Sequence, residues 1–172
     1  MKLSYGRQSI SPEDIDAVID VLNSDFLTQG PKVEEFESAI CEAVEAKYAV
    51  AVNSATSGLH LACKALGVGV GDMVWTSPNS FAASANCALY CGASVDFVDI
   101  DPETLNLSVN ALEKKLCEVS AGGGSLPKAV IPVHFSGVSC DMRRIHALSK
   151  KFGFSIIEDA SHALGAIYGE YP

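Results

Sequence analysis

The chain has 172 residues, of which 48% are hydrophobic and 19% charged, and its formal net charge is −9. This composition is typical of a folded globular domain with a sizeable core and excludes a disordered chain. Lysine and arginine never occur in runs longer than a pair, and no apolar run approaches the ~20 residues of a membrane span, so neither a nucleic acid nor a membrane is the expected partner.

Helical and strand patterns follow one another along the chain. Two amphipathic helices are predicted first, and Ser11 and Pro12 mark the start of the first one as N-cap and first helical residue. From residue 48 onward, short apolar strands alternate with helices. The predicted helices cover 10–24, 31–46, 54–67, 81–92, 108–120 and 141–153, and the predicted strands cover 48–53, 73–77, 94–100, 128–135 and 154–160.

The predicted strands are apolar on both faces, which indicates a mostly parallel sheet covered by helices on both sides. The expected fold class is therefore α/β, with a helical N-terminal segment at 1–46 and an α/β core at 47–172. Gly67, Gly69 and Gly71 follow a helix and precede a strand. A Rossmann phosphate loop has the opposite order, so these glycines are interpreted as a helix stop and a turn.

The six cysteines are expected to be reduced and buried, because no signal peptide is recognisable at the N-terminus. The same observation predicts a cytoplasmic protein. Cys87 and Cys91 are four residues apart and would share one face of a helix. A metal pair is the alternative to a core position. No histidine or second cysteine pair accompanies them at zinc spacing, so we favour the core interpretation and expect no metal.

Polar or aromatic residues follow several predicted strands, at the sheet edge where open α/β folds bind their ligands. The stretch 53–58 runs directly into a helix and could bind a phosphate or simply cap that helix. Phe81 could be a core residue or an aromatic plate. Asp159, with His162 three residues on, could cap a turn or serve a ligand. Their convergence, together with His134, would suit a flat, phosphorylated, nitrogen-containing ring.

Four stretches make a family resemblance recognisable: "AVNSATSGLHLACKALG", "TSPNSFAASANCALYCGASVDFVDID", "PVHFSG" and "EDASHALGA". The chain resembles the DegT/DnrJ/EryC1/StrS family of pyridoxal-phosphate-dependent sugar aminotransferases over its whole length. The openings "YGRQSIS" and "DFLTQGPKVEEFE" resemble the nucleotide-sugar branch of that family. The resemblance implies an incomplete large domain of the aspartate-aminotransferase-like fold (fold type I).

The resemblance also implies roles for individual residues. It assigns the cofactor phosphate to Ala55, Thr56 and Ser57, stacking on the ring to Phe81, the ring nitrogen to Asp159, and the neighbourhood of the ring hydroxyl to His162. It assigns the sugar-nucleotide side to Tyr5, Phe26, Leu27 and Thr28. The implied cofactor is pyridoxal 5′-phosphate, and the implied partners are glutamate, a UDP-linked 4-keto deoxysugar and a second copy of the complete enzyme.

The family's Schiff-base lysine is expected beyond the last residue of this sequence, in a motif resembling S-F-H-x-x-K. All nine lysines precede Asp159, and none lies in such a motif. We therefore expect an N-terminal part of an aminotransferase, without the C-terminal small domain and without activity of its own. The alternative is a degenerate, non-catalytic ligand-binding or interaction module of the same fold, and the DNA downstream of the gene would discriminate between the two.

Overall fold

The computed structural model describes residues 8–169. The chain divides into two compact units, with the division between Ala51 and Val52. In its described residues, the first unit holds two helices, and the second holds a four-stranded sheet with four α-helices. Tyr5, which the resemblance assigns to the sugar-nucleotide side, lies outside the described residues.

The helices of the first unit begin where the sequence predicts. Helix α1 spans Pro12–Leu22 and α2 spans Pro31–Ala43. A capping box starts α1: the amide N–H of Ser11 donates to the Asp14 carboxylate (2.8 Å), and the amide of Asp14 donates back to the Ser11 hydroxyl (3.3 Å). A proline stands at the start of both helices, where the missing N–H costs no hydrogen bond.

Strands and helices alternate in the second unit, as predicted. The helices are α3 (Ala55–Ala65), α4 (Ala83–Tyr90), α5 (Val109–Ala121) and α6 (Met142–Phe152), and the strands are β1 (Met73–Thr76), β2 (Ser94–Phe97), β3 (Ala129–Ile131) and β4 (Ser155–Ile156). The side chains of Ser54, Ser108 and Asp141 cap the first turns of α3, α5 and α6. Helix α6 ends at Gly153, whose φ of 79° is left-handed and therefore suits a residue without a Cβ.

The four strands form one sheet in the order β2-β1-β3-β4, and every neighbouring pair is parallel. The register places Val74 opposite Ala129, and Ala129 opposite Ser155. The pairing continues past β4, where the amide of Asp159 donates to the carbonyl oxygen of Pro132 (2.9 Å). The carboxyl ends of the strands therefore share one edge of the sheet, with Asp159 among them. The predicted α/β class is confirmed.

The two faces of the sheet bury side chains of different size. Helices α5 and α6 bury large side chains against one face, including Trp75, Leu112, Leu116, Ile145 and Phe154. Helices α3 and α4 bury mainly small side chains against the other face, including Cys63, Ala83, Cys87, Ala88 and Ala129. The sulfur atoms of Cys63 and Cys87 lie 3.7 Å apart in this second cluster, which confirms the core interpretation of Cys87. The expectation that all six cysteines are buried is wrong: Cys41 and Cys91 are partly exposed and Cys117 is exposed, because each stands on or beside a helix that buries only part of its surface.

The predicted strand at 48–53 is wrong. The segment has no strand partner in the described part of the chain, and Tyr48 and Val50 are 77% and 78% exposed. A β-branched run becomes a strand only where a neighbouring strand accepts its hydrogen bonds, and the sequence of the run cannot supply that neighbour. The predicted strand 128–135 is also too long. It ends at Ile131, because Pro132 has no N–H to donate to the ladder.

Candidate active site

A cavity of about 380 Å³ lies at the carboxyl edge of the sheet, between the strand ends and the first turns of α3 and α4. All its lining residues belong to the second unit. They are Ala55, Thr56, Leu59, Asn79, Ser80, Phe81, Ala83, Val133, Phe135, Asp159, Ser161 and His162. The structure therefore brings together five of the six residues that the resemblance assigns to the cofactor: all but Ser57.

The carboxylate of Asp159 is the central polar group of this cavity. Its residue is only 6% exposed, and its backbone continues the ladder between β3 and β4. Oδ1 accepts hydrogen bonds from the hydroxyl (2.6 Å) and the amide (3.3 Å) of Ser161, and Oδ2 accepts one from the hydroxyl of Ser84 (2.7 Å). A carboxylate has about four lone-pair positions, so one further donor can bind Oδ2 from the cavity.

Ser84 is a site residue that the sequence reasoning missed. It lies in the first turn of α4 and is 1% exposed. Its hydroxyl contacts Asp159 and also lies 2.6 Å from the hydroxyl of Ser80. The available signal was a serine one helical turn after Ser80, in a helix whose other buried positions are alanine or cysteine. A hydroxyl on that apolar face needs a polar partner.

The first turn of α3 forms a second side of the cavity. Ser54 caps this helix by accepting a hydrogen bond from the amide of Ser57 (3.2 Å). The amides of Ala55 and Thr56 have no acceptor within residues 8–169, although both residues line the cavity. Two free N–H groups at a helix N-terminus form a favourable place for an anion such as a phosphate. Capping of α3 by Ser54 thus leaves two amides open to an anion.

Ser57, which the resemblance assigns to the phosphate, is bound to other residues of its own turn. It is absent from the cavity lining, and its hydroxyl donates to the side-chain oxygen of Asn53 (2.7 Å). Its amide is bound by Ser54. A direct contact of Ser57 with a phosphate stays a prediction, since it requires the hydroxyl to turn away from Asn53.

Two aromatic side chains contribute apolar surface to the cavity. Phe81 precedes α4 and is 78% exposed, so the core alternative for Phe81 is wrong. Phe135, in the 3-10 turn after β3, lines the cavity as well and was not singled out from the sequence. An exposed aromatic ring beside a buried carboxylate suits a flat, charged ring ligand.

A buried amide holds the turn that carries Phe135. Asn106 is 3% exposed, and its side chain accepts a hydrogen bond from the amide of Phe135 (2.9 Å) and donates to the carbonyl oxygen of Val138 (2.9 Å). Both ends of the turn are therefore tied to one side chain. Gly137 in this turn has φ of 86°, and a Cβ there would lie 3.1 Å from the carbonyl oxygen of His162. The turn thus supports two cavity residues, Phe135 and His162.

His134 and Glu158 form an ion pair on the opposite face of the same strand ends. Nε2 of His134 lies 3.0 Å from a carboxylate oxygen of Glu158, and the imidazole is buried. The contacts of His134 with Cys140 and Glu158 raise its pKa to about 9, against the lowering caused by burial. The bond to His134 lowers the pKa of Glu158. The amide of Cys140 donates to Nδ1 (3.2 Å), so in the neutral imidazole Nε2 carries the proton and donates to Glu158.

The segment predicted to face a sugar nucleotide lies in the first unit, between α1 and α2. Phe26 and Leu27 are 58% and 65% exposed, and Thr28 is exposed as well. Their assignment stays a prediction.

Within residues 8–169, no group of three or more histidine, cysteine, aspartate or glutamate side chains is arranged to hold a metal ion. None of the described helices is long and apolar enough to cross a membrane.

Comparison with known proteins agrees with this geometry. The Bacillus subtilis spore coat polysaccharide biosynthesis protein SpsC is 44% identical over 166 residues, which cover 96% of this chain and 41% of that protein. The Campylobacter jejuni UDP-4-amino-4,6-dideoxy-N-acetyl-β-L-altrosamine transaminase is 46% identical over 166 residues, which cover 96% of this chain and 43% of the transaminase. The chain therefore spans about two-fifths of the length of the curated relatives it matches.

A solved structure matches the fold over almost the whole chain. Helicobacter pylori PseC, described as an aminotransferase involved in the biosynthesis of pseudoaminic acid, superposes with a TM-score of 0.90 at 34% identity. The match covers 99% of this chain and 44% of PseC. The sheet and helices are therefore part of the large domain of a fold type I pyridoxal-phosphate enzyme. Residues 8–171 match the DegT/DnrJ/EryC1/StrS aminotransferase family, and the chain belongs to that family.

Proposed function

We propose that the cavity binds pyridoxal 5′-phosphate, and that the complete protein transfers an amino group from glutamate to the C4 keto group of a UDP-linked deoxysugar. The observation that carries the proposal is the carboxylate of Asp159. It is buried at a cavity edge, fixed by three donors, and has one acceptor position left. A carboxylate so placed favours a protonated ring nitrogen beside it, because the charge-assisted hydrogen bond stabilises the cation.

The other cavity residues fit the remaining parts of the cofactor. The free amides of Ala55 and Thr56 suit the phosphate, and the exposed ring of Phe81 suits the face of the pyridine ring. We assign His162 to the ring hydroxyl and Ser57 to the phosphate after its hydroxyl leaves Asn53. When bound, pyridoxal phosphate supplies the electron sink that transamination requires. The chain's own residues hold it, orient it and keep its ring nitrogen protonated.

The chain alone is proposed to be inactive. A transaminase of this kind needs a lysine as covalent anchor and proton shuttle. No lysine is among the described residues that line the cavity. We infer that this lysine belongs to a part of the enzyme outside the sequence given, and that the 172 residues bind the cofactor without covalent attachment.

The substrate proposal is supported by the relatives. One is named as the transaminase of a UDP-linked amino sugar, and one is described as part of pseudoaminic acid biosynthesis. The family is one of aminotransferases, and the stretches 5–11 and 25–37 resemble its nucleotide-sugar branch. We therefore place the complete enzyme in the synthesis of a nucleotide-linked amino sugar for a cell-surface polysaccharide.

Cofactor binding is tested with pyridoxamine 5′-phosphate, which lacks the aldehyde that would react with any exposed lysine. The only tryptophan, Trp75, reports binding by quenching of its fluorescence. We expect saturable binding, and pyridoxamine without the phosphate should bind at least about tenfold more weakly, since it loses the charged contact at α3. No saturable binding, or equal binding of both ligands, would contradict the proposed site.

Substrate and activity are tested with a chimaera. Residues 1–172 are joined to the C-terminal remainder of the Campylobacter jejuni transaminase, of which they match the first part. We expect glutamate-dependent amination of a UDP-4-keto deoxysugar by the chimaera and none by the 172-residue chain. A chimaera that binds the cofactor but aminates no member of a UDP-4-keto sugar panel would overturn the substrate assignment and leave the cofactor assignment standing.

A further inference from the structure

Ser84 contacts Asp159 from a distant part of the chain. Its hydroxyl oxygen lies 2.7 Å from Oδ2 of Asp159, 3.3 Å from the carbonyl oxygen of Phe81 and 2.6 Å from the hydroxyl oxygen of Ser80. The residue is 1% exposed, so these protein atoms rather than bulk water are its partners. Ser84 and Asp159 are 75 residues apart in the sequence.

The single hydroxyl proton of Ser84 has one preferred acceptor. A carboxylate oxygen is a stronger acceptor than a carbonyl or a hydroxyl, and its distance is shorter than that to Phe81. Ser84 therefore donates to Asp159. The 2.6 Å contact with Ser80 then requires the hydroxyl of Ser80 to be the donor. The three groups form a directed chain, from Ser80 through Ser84 to the carboxylate.

The two oxygens of Asp159 are held in different ways. Oδ1 is held by Ser161, two residues along the same loop, and this bond moves with the loop. Oδ2 is held by Ser84, which belongs to α4, directly after Phe81. Only the second bond fixes the carboxylate relative to the aromatic ring that faces the same cavity.

We propose that Ser84 is a positioning residue, which sets the carboxylate of Asp159 relative to Phe81 so that one ligand ring can meet both. The inference rests on the proposed cofactor site, because the ring that would contact both Asp159 and Phe81 is that of pyridoxal phosphate. The bond between Ser84 and Asp159 itself is a property of the chain without cofactor. The two claims can therefore be tested separately.

The first experiment uses the chain without cofactor. Urea unfolding is measured for Ser84→Ala, Asp159→Ala, the double variant and the unsubstituted chain. Each substitution raises the unfolding equilibrium constant by a factor. The factor for the double variant should be about tenfold smaller than the product of the two single factors, because both substitutions remove the same charge-assisted hydrogen bond. Ser149→Ala is the matched control, since its hydroxyl donates to the carbonyl oxygen of Phe154 (2.6 Å), away from Asp159, and it should combine with Asp159→Ala to within about twofold.

The second experiment reads the cofactor directly. Pyridoxamine 5′-phosphate labelled with ¹⁵N in the ring is bound at saturation, and the ring-nitrogen chemical shift reports its protonation. Ser84→Ala should move the shift toward the unprotonated value and weaken binding about threefold to tenfold. Ser84→Cys keeps the side-chain volume with a weaker donor and should move the ring-nitrogen shift in the same direction, whereas Ser149→Ala, outside this network, should leave the shift unchanged.

The outcomes separate the two claims. Failure of the unsubstituted chain to bind the ligand would overturn the proposed cofactor site, and the unfolding cycle would still decide the role of Ser84. Additive effects of Ser84→Ala and Asp159→Ala on unfolding would overturn the inference. An unchanged ring-nitrogen shift in a saturated Ser84→Ala chain would overturn it as well, because a purely structural serine alters affinity without altering the protonation of the ring.

Discussion

Glu158 and Asp159 are neighbours in the sequence and lie on opposite faces of one sheet. Glu158 is half exposed and is paired with a buried histidine, His134. Asp159 is buried, has only hydroxyl and amide partners, and faces a cavity. Glu158, which has a cationic partner, is thus structural. Asp159 has no cation among its described contacts and is available to a ligand that carries a positive charge.

The difference between the two carboxylates extends to the two faces that they occupy. The face of Glu158 is packed by large side chains, including Leu112 and Leu116 of α5 and Ile145 of α6. The face of Asp159 is packed by Leu59 and Cys63 of α3 and by alanine and cysteine side chains of α4, and it opens into the cavity at the strand ends. We infer that one face supplies most of the stability of the second unit, and that the other supplies the binding site.

Ile145→Ala is expected to have the largest effect, and on stability alone. Ile145 is 0% exposed in the cluster between α6 and the sheet, and truncating it should cost about 2–5 kcal/mol of unfolding free energy. Urea denaturation measures that loss. The folded fraction should bind pyridoxamine 5′-phosphate with unchanged affinity, and a parallel loss of affinity would contradict the division between the faces.

Asp159→Ala is expected to show the next largest effect, and on binding. Loss of a charge-assisted hydrogen bond to the ring nitrogen should weaken the affinity for pyridoxamine 5′-phosphate about 10- to 100-fold. Glu158→Gln is the matched control, because it alters the adjacent carboxylate on the other face. The affinities are measured by titration of the Trp75 fluorescence. If both variants lose the same amount of affinity, the two carboxylates do not differ in function.

Phe81→Ala should weaken binding without destabilising the fold. The side chain is 78% exposed, so its removal should change the unfolding free energy by no more than about 0.5 kcal/mol. The loss of ring stacking should weaken binding of the cofactor analogue by roughly threefold to tenfold. Isothermal calorimetry measures the affinity. A Phe81→Ala variant that binds the analogue as tightly as the unsubstituted chain would exclude Phe81 as the aromatic plate.

The stability of the chain should depend on pH through the pair of His134 and Glu158. We expect this effect to be the smallest of the four. The pKa of His134 is raised from 6.5 to about 9, so its contribution is fully present below pH 6.5 and is lost as the pH rises through about 9. The lowered pKa of Glu158 makes its contribution present above pH 4.5 and lost as the pH falls below that value. Thermal unfolding across this range should show both losses in the unsubstituted chain and smaller ones in Glu158→Gln.

Much of the second unit could be predicted from local pattern. The periodicity of apolar residues placed every helix, and the parallel sheet followed from strands that are apolar on both faces. Convergence of Phe81, Asp159 and His162 also followed, because the carboxyl ends of parallel strands share one edge. Thr56 lines the same cavity, although the strand predicted before it is not formed. The strand at 48–53 could not be judged in this way. A strand needs a neighbouring strand that accepts its hydrogen bonds, and strand propensity does not reveal whether one is present.

The remaining site residues depend on contacts between distant parts of the chain. A serine in a helix of small residues indicates the need for a polar partner, but it does not indicate that this partner is a carboxylate 75 residues later, as it is for Ser84. Asn106 likewise follows an ordinary turn sequence, and only the folded chain places it beneath the turn that carries Phe135. The sequence also could not show that Ser57 binds Asn53, because the choice among neighbouring acceptors depends on side-chain rotamers.

A crystal structure of the chain with pyridoxamine 5′-phosphate tests the central claim most directly. We predict the ring nitrogen within hydrogen-bond distance of the Asp159 carboxylate, the phosphate at the amides of Ala55 and Thr56, and the ring against Phe81. A ligand bound in the cavity with its phosphate toward Asp159, or bound elsewhere on the chain, would contradict the assignment of Asp159 as the partner of the ring nitrogen.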